Sequence, residues 1–563
     1  MAEDKDFNDA LEEIFLSENT LRNESYKEGY RAGCDAGSPE GYHLGYHRGA
    51  EIGREIGYYF GIVTNHLDNN NKSDVQLSDK VVQQLEKVQK LIEDFPRTNS
   101  EQHDILALLE TNCHMVEFFN EQHWEKLLPK ALRQTLDDWD LNYSVEKFWT
   151  YASEKNNNDD CELRKWVHKA QAHSLTVNNE YCISIEKLQE HVNSWGGVMP
   201  PEIKVKEFMT SKKSYEVQRM SRFVASLYNA TKSTHCLEAG GGKGHLLVAL
   251  TLGYNIPSLT VDCDRKALKN ASERVRSIQK KWRAIAKKVI NGNEECADGN
   301  TNSDIHRFAT AFVTKDTDVS KVVKDAFPEH FGEDMKILLT GLHTCGNLGP
   351  DSLRIFAAQP STGALFNVPC CYHLLTEEVD AGLFDVFQRD YGSVARPEHG
   401  FPMSEYLRGY NLGRNARMLA AQSIDRVVHH RQFPSKSLLY RALFQLIVKR
   451  HKPGYIMGVG KLKKMKLERF GDYFVAADRA LGVGLCDVLP DGFLAEVSKD
   501  AELHWRRVVL FYLLRLCLAQ VVEGVVLLDR LLYLMENGFE RAFLVRLFEP
   551  VLSPRCHSIV AVR

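Results

Sequence analysis

Apolar residues in the middle of the chain fall into short runs, each ending in polar or glycine-rich punctuation. Cys236-Leu237 and Ala239 run into Gly240-Gly241-Gly242-Lys243-Gly244, followed by the apolar stretch Leu246 to Leu250. That order predicts strand, tight turn, helix. Leu259-Thr260-Val261-Asp262, Ala311-Phe312-Val313-Thr314, Lys336 to Gly346 and Gly363 to His373 predict four further strands, and Ser558 to Val562 a final one. The run from Val508 to Leu534 contains Arg515, Glu523 and Asp529, so it predicts helices buried against a sheet and no membrane span. Upstream, Trp124 to Trp149, Arg164 to Ala172 and Ile183 to Trp195 have helical spacing and stop at Gly196-Gly197.

The amino-terminal pattern is different. Gly29, Gly33, Gly37, Gly41, Gly45, Gly49, Gly53, Gly57 and Gly61 recur at every fourth residue. At an average glycine usage of about 7%, chance gives such a run on the order of once in a billion starts. On a helix these glycines form a slowly winding groove that a second backbone can approach. Each glycine costs about 1 kcal/mol against alanine, so such a helix needs a partner to persist. Ser38-Pro39-Glu40 predicts a break near Gly37. Residues 65–79 are a polar linker, and residues 81–95 a further helix.

Chemistry concentrates on the glycine turn. A dinucleotide fingerprint fails because His245 occupies its last glycine position, and a phosphate loop fails because Leu237 and Gly244 stand at two of its fixed places. What remains, Glu238-x-Gly240-x-Gly242-x-Gly244, resembles motif I of class I S-adenosylmethionine (SAM) methyltransferases. Side-chain-free residues let backbone approach a nucleoside, and Glu238 suits the cationic amino-acid end. Asp262, at the next strand end, is the expected partner of the ribose hydroxyls. The expected fold is α/β: a class I Rossmann-like SAM methyltransferase with a helical insertion, preceded by an all-α glycine-repeat domain. The expected boundaries are 1–112, 113–205 and 206–563, with the insertion at about 374–545.

Two resemblances sharpen this. The segments Lys336 to Gly346 and Gly363 to His373, with Phe401-Pro402-Met403-Ser404, Leu527-Leu528-Asp529-Arg530 and Ser553-Pro554-Arg555, resemble the eukaryotic methyltransferase-like proteins formerly called rRNA adenine dimethylase domain-containing. That resemblance runs from about His114 to Arg563 and implies SAM contacts at Glu238, Gly240, Gly242, Gly244 and Asp262. Tyr215 stands where that group tends to have histidine. The H-x-C-G and C-C-x-H motifs also resemble a tRNA ribose methyltransferase family, which implies an RNA substrate. Residues 1–112 resemble the deca-Gly-x-x-x adaptor family of cytosolic iron–sulfur assembly, including the oral-cancer-overexpressed type. This implies pairing with a second glycine-repeat adaptor protein through residues 26–66. The rival expectation is a non-catalytic scaffold on a methyltransferase fold.

Several catalytic roles stay open. His343 or His373 is a candidate base for a hydroxyl, and Asn367-Val368-Pro369 resembles the loop that orients an amine. Thr344-Cys345 and Pro369-Cys370 resemble the dipeptides of cytosine-carbon methyltransferases, with their order along the strands exchanged. His343, Cys345, Cys370, Cys371 and His373 lack the C-x-x-C spacing of a metal site, so packed thiols are expected there and no metal. Net charge is −4 from 71 basic and 75 acidic residues, so any RNA affinity must be local. The basic stretch Lys449 to Lys466 is one candidate strip. Thirteen cysteines without scaffold spacing, behind an acidic amino terminus, predict a reducing compartment, cytoplasm or nucleus.

Overall fold

A computed structural model describes residues 115–563 apart from 116–117, 120–121, 154–158, 176–180, 204–208, 283–304, 330–334, 378–398, 409, 454, 456–466 and 500. The glycine repeat, the linker after it and the helix at 81–95 lie outside the described residues. The chain divides into two units. The larger takes in Leu108–Ile447, Lys466–Phe474 and Leu489–Arg563; the smaller includes Val448–Met465 and Val475–Val488. Within the smaller, Asp478 accepts the backbone N–H groups of Leu485 at 2.9 Å and Cys486 at 3.1 Å. Lys452 donates to the Val483 carbonyl.

The larger unit is organised by an eight-stranded sheet. Its strands are β1 (Cys182–Ile183), β2 (His235–Ala239), β3 (Ser258–Asp262), β4 (His306–Thr310), β5 (Ile337–Cys345), β6 (Thr362–Cys370), β7 (Ala542–Arg546) and β8 (His557–Val562). Their spatial order is β1-β7-β8-β6-β5-β2-β3-β4. Strands β2 to β6 pair in parallel, and β8 runs antiparallel to both β6 and β7. The third strand of the parallel set is β4, so it ends one residue before the apolar run at Ala311 that sequence reasoning chose. The true strand, His306-Arg307-Phe308-Ala309-Thr310, is mostly half-buried at the sheet edge, and its apolar signal is correspondingly weak.

Both faces of the sheet are covered, which is why its central strands read as unbroken apolar runs. Neighbouring residues alternate between two cores. Leu338 and Phe366 pack on one face, while Ile337, Leu339 and Leu365 pack on the other. The helices around the sheet include α1 (Leu141–Ser153), α2 (Glu162–Ala172), α3 (Ile185–Ser194), α4 (Ser211–Ala230), α5 (His245–Val248) and α6 (Arg265–Lys280). Later come α7 (Val319–Ala326), α8 (Leu348–Ala358), α9 (Gly413–Ala420), α10 (Ala501–Leu516) and α11 (Ala519–Glu536). Val217, Met220 and Val224 of α4 seal the first face. Leu353 and Phe356 of α8, with Leu527 and Leu534 of α11, seal the second.

The apolar composition of α10 and α11 serves this packing. Their stretch Leu503–Glu536 is long and apolar enough to cross a membrane, yet 78% of its most apolar window is buried inside the protein. At its centre Glu523 accepts hydrogen bonds from Arg555 at 2.9 Å and from the Tyr372 hydroxyl at 2.8 Å. Asp529 accepts the backbone N–H groups of Met403 and Ser404 and the Ser404 hydroxyl. These buried carboxylates tie the segments at 401–404 and 553–555 to the core.

Candidate active site

The site begins where β2 ends. Gly240, Gly242 and Gly244 have φ of 71°, 48° and 68°, a left-handed region that other residues enter at a cost of about 1–2 kcal/mol. Space is equally restrictive. A Cβ on Gly240 would lie 2.6 Å from Leu348 Cδ2. One on Gly241 would lie 2.4 Å from Thr260 Cγ2 and 2.6 Å from Glu238 Oε2. The turn is tied to β3 by two bonds: Gly240 N–H donates to the Val261 carbonyl at 2.8 Å, and Gly242 N–H to Asp262 Oδ2 at 2.9 Å. Asp262 Oδ1 accepts Asp264 N–H at 2.9 Å, and Asp264 in turn caps α6.

Glu238 faces this turn from the last residues of β2. Its side chain is buried, with Thr260 Oγ1 donating to Oε2 at 3.0 Å. Burial pushes its carboxyl up to about 7, against the lowering effects of Thr260 and Lys213. A pocket of about 400 Å³ opens beside it. Its walls are Met209, Thr210 and Lys213 at the start of α4, Gly240 to Lys243 of the turn, His245 and Leu246 of α5, and Leu342 and His343 of β5. Burial, then Arg274, Lys213 and Lys243, lowers the His245 imidazole to about 4, so that ring is neutral at physiological pH.

The opposite wall carries a second constellation. A register shift between Leu342 and Thr344 makes His343 the extra residue of a bulge, with a left-handed φ of 70°. The bulge turns its ring to Glu216 of α4, with Nε2 2.9 Å from Oε2. Ser553 Oγ donates to Glu216 Oε1 at 2.6 Å. Lys213 and Lys212 approach the same carboxylate at 3.4 and 3.5 Å. Burial pushes the Glu216 carboxyl up, but His343, Ser553 and Lys213 outweigh it and hold the group at about 2. The ionised carboxylate only accepts, so His343 donates its Nε2–H to it.

The expected site residues therefore divide. Glu238, Gly240, Gly242 and His343 line one pocket. Asp262 and Gly244 do not line it; Asp262 holds the turn through Gly242, and Gly244 begins α5 against Ala271. Asn367 is wholly buried in β6, its Oδ1 accepting from Thr344 Oγ1 at 2.9 Å, and it too lies off the pocket wall. His373 sits in a single 3-10 turn after Cys371, with its pKa lowered by burial. Glu216 and Ser553 were missed as site residues. The spacing of Lys212 and Lys213 four and three positions before Glu216 was a visible signal, but its partner His343 is 127 residues away.

The residues present fit SAM. The side-chain-free backbone of the turn lines the pocket, and the buried acid Glu238 beside it is a suitable counter-charge for an ammonium group. Residues 212–378 match the family described as a methyltransferase domain. Among curated proteins, the chain is 26% identical to the human probable methyltransferase-like protein 25, over 81% of this chain and 95% of that one. The mouse counterpart is also 26% identical, over 81% and 94%. Among solved structures, a mitomycin 7-O-methyltransferase aligns at 11% identity and TM-score 0.16, over 62% of this chain and 88% of that one. A coclaurine N-methyltransferase bound to N-methylheliamine and SAH aligns at 12% and 0.18, over 72% and 93%. The family match, the glycine turn and the parallel sheet together identify a SAM-dependent methyltransferase domain of the α/β class in this chain.

Proposed function

We propose that the domain methylates RNA, with His343 as the proton acceptor and Glu216 as its positioning partner. SAM supplies a methyl group on a sulfonium. The chain's own part is to hold the acceptor in line and to take its proton. Glu216 accepts Nε2–H of His343, which leaves Nδ1 as the nitrogen to take the proton, and Ser553 and Lys213 hold Glu216 ionised. The bulge sets His343 on the pocket wall, hydrogen-bonded to Glu216.

The observation that carries the RNA reading is local charge. The chain is net acidic, yet Lys213 and Lys243 line the pocket, and Arg274 Nη1 donates to the Lys243 carbonyl at 2.6 Å. Helix α6 starts at the same sheet edge and bears Arg265, Lys266, Lys269, Arg274, Arg276 and Lys280 against the single acid Glu273. That is a cationic rim suited to a phosphate backbone. The strip at Lys449 to Lys452 supports it less, since Lys452 is engaged with Val483 and residues 461–466 lie outside the described residues. Incubating the full chain with tritiated methyl-SAM and extracts of cells lacking it tests the reading. Label should enter RNA, and less so as salt rises. Label in protein alone, with intact SAM binding, would refute it.

The glycine period favours a second role. Nine glycines at strict four-residue spacing support a helix groove for another glycine-repeat protein at residues 26–66, and with it a scaffold role in cytosolic iron–sulfur protein maturation. Cells expressing the full chain and a chain lacking residues 1–112 would show co-purification of such a partner with the first only; equal recovery with both would refute it.

A further inference from the structure

Three thiols at the carboxyl ends of β5 and β6 take no part in the chemistry above. Cys345 and Cys370 are register partners, and their sulfurs lie 3.2 Å apart. Cys371 Sγ lies 3.6 Å from Cys370 Sγ, and all three sulfurs fall within 4.8 Å of one another. A disulfide needs a separation of about 2.05 Å. Thiolates around zinc at about 2.3 Å form a tetrahedron with edges of about 3.8 Å. The separations of 3.2 and 3.6 Å lie just inside that edge length, well beyond a disulfide bond.

The convergence is built by two departures from regular backbone. Without the bulge at His343, Thr344 would face Cys370; with it, Cys345 does. Consecutive residues on a strand point to opposite faces, so Cys370 and Cys371 would ordinarily diverge. Cys371 instead adopts a left-handed φ of 52°, which brings its sulfur back to that of Cys370. Two non-glycine residues in this region, His343 and Cys371, flank one cluster, and such strain gathers at functional sites. Cys370 is buried, Cys371 is half-buried and Cys345 is exposed, so the cluster is open to solvent on one side.

We propose that Cys345, Cys370 and Cys371 bind a thiophilic metal ion, zinc in a reducing environment, through three thiolates. Binding displaces the three thiol protons to solvent. The fourth position is left to water or an incoming ligand, as in zinc sites that do chemistry rather than brace a fold. The site stands at the same edge of the sheet as His343 and does not depend on the identity of the methyl acceptor.

The test uses the reduced, chelator-stripped full chain and zinc alone. One zinc per chain should bind, and bound zinc should protect Cys345, Cys370 and Cys371 from alkylation while other cysteines react as before. Cobalt in its place should show thiolate-to-metal charge-transfer absorption. Cys371→Ser and Cys345→Ser should each raise the zinc Kd by roughly a hundredfold, while Cys517→Ser, just after α10 and outside the cluster, should leave it unchanged. Should either serine variant fail to fold, the alkylation pattern of the parent chain still decides. No stoichiometric zinc, an unchanged Kd in a folded Cys371→Ser variant, or a Cys345–Cys370 disulfide in place of metal in reducing buffer would overturn the proposal.

Discussion

Glu238→Gln isolates the electrostatic role of the glycine turn. The parent carboxyl is buried and lifted from an ordinary 4.5 to about 7. At about 1.4 kcal/mol for each tenfold change in proton affinity, ionising it in the folded protein costs about 3 kcal/mol. The sign follows from the raised value: this group's stability contribution is complete below about 4.5 and is lost as pH climbs through about 7. Without cofactor, the glutamine variant should therefore be more stable than the parent at pH 8, by up to about 3 kcal/mol in chemical denaturation. Cofactor binding should move the other way. Removing one partner of a buried charge pair costs about 2 kcal/mol or more, roughly thirtyfold in the Kd for SAM. Calorimetric titration should also show the parent Kd rising about tenfold between pH 8 and pH 6, as the acid takes up its proton, and the variant Kd staying flat. If the two proteins share one affinity and one pH profile, Glu238 does not hold the cofactor's cation, and the reasoning fails.

Other outcomes follow from the same geometry. Gly241→Ala drives a methyl group against Thr260 and Glu238, so it should weaken SAM at least about tenfold and destabilise by about 1–3 kcal/mol, read by calorimetry and thermal unfolding. Glu216→Gln should lower kcat by about a hundredfold with SAM affinity within a few fold, because it releases His343 rather than the cofactor. The parent Glu216 carboxyl is depressed from 4.5 to about 2, so its stabilisation is present above 4.5 and lost as pH falls to 2; acid titrations of the variant should lack up to about 3 kcal/mol of that loss. Glu523→Ala strands Arg555 in the core and should shift the denaturant midpoint by about 3 kcal/mol or more.

What the sequence disclosed follows from where the signal lies. Leu237, Leu259, Leu339 and Leu365 sit in strands covered on both faces, so their apolar runs could only be buried strand. The glycine turn was legible because three left-handed positions and two close approaches leave few alternatives to glycine. The edge strand β4 was misplaced because its Arg307 is only half-buried and its Thr310 exposed, while the apolar run just after it keeps one bond to β3, from Ala311 N–H to the Asp262 carbonyl at 3.1 Å. The two-residue strand β1 carries too little pattern to be read. Asp262, expected against ribose, also shapes the turn: its two oxygens accept Gly242 and Asp264 N–H groups, which leaves each a further acceptor position. The Glu216–His343 pair and the cysteine cluster depend on a bulge and a left-handed residue, and a one-residue shift in strand register leaves no mark on composition or period.

The central claim is that the turn after Glu238 seats the methyl donor. A crystal structure of the full chain with S-adenosylhomocysteine tests it most directly. The ligand should lie in the pocket walled by Gly240 to Gly242 and His343, with its amino-acid end toward Glu238. Ligand density elsewhere, with that pocket empty, would contradict the account.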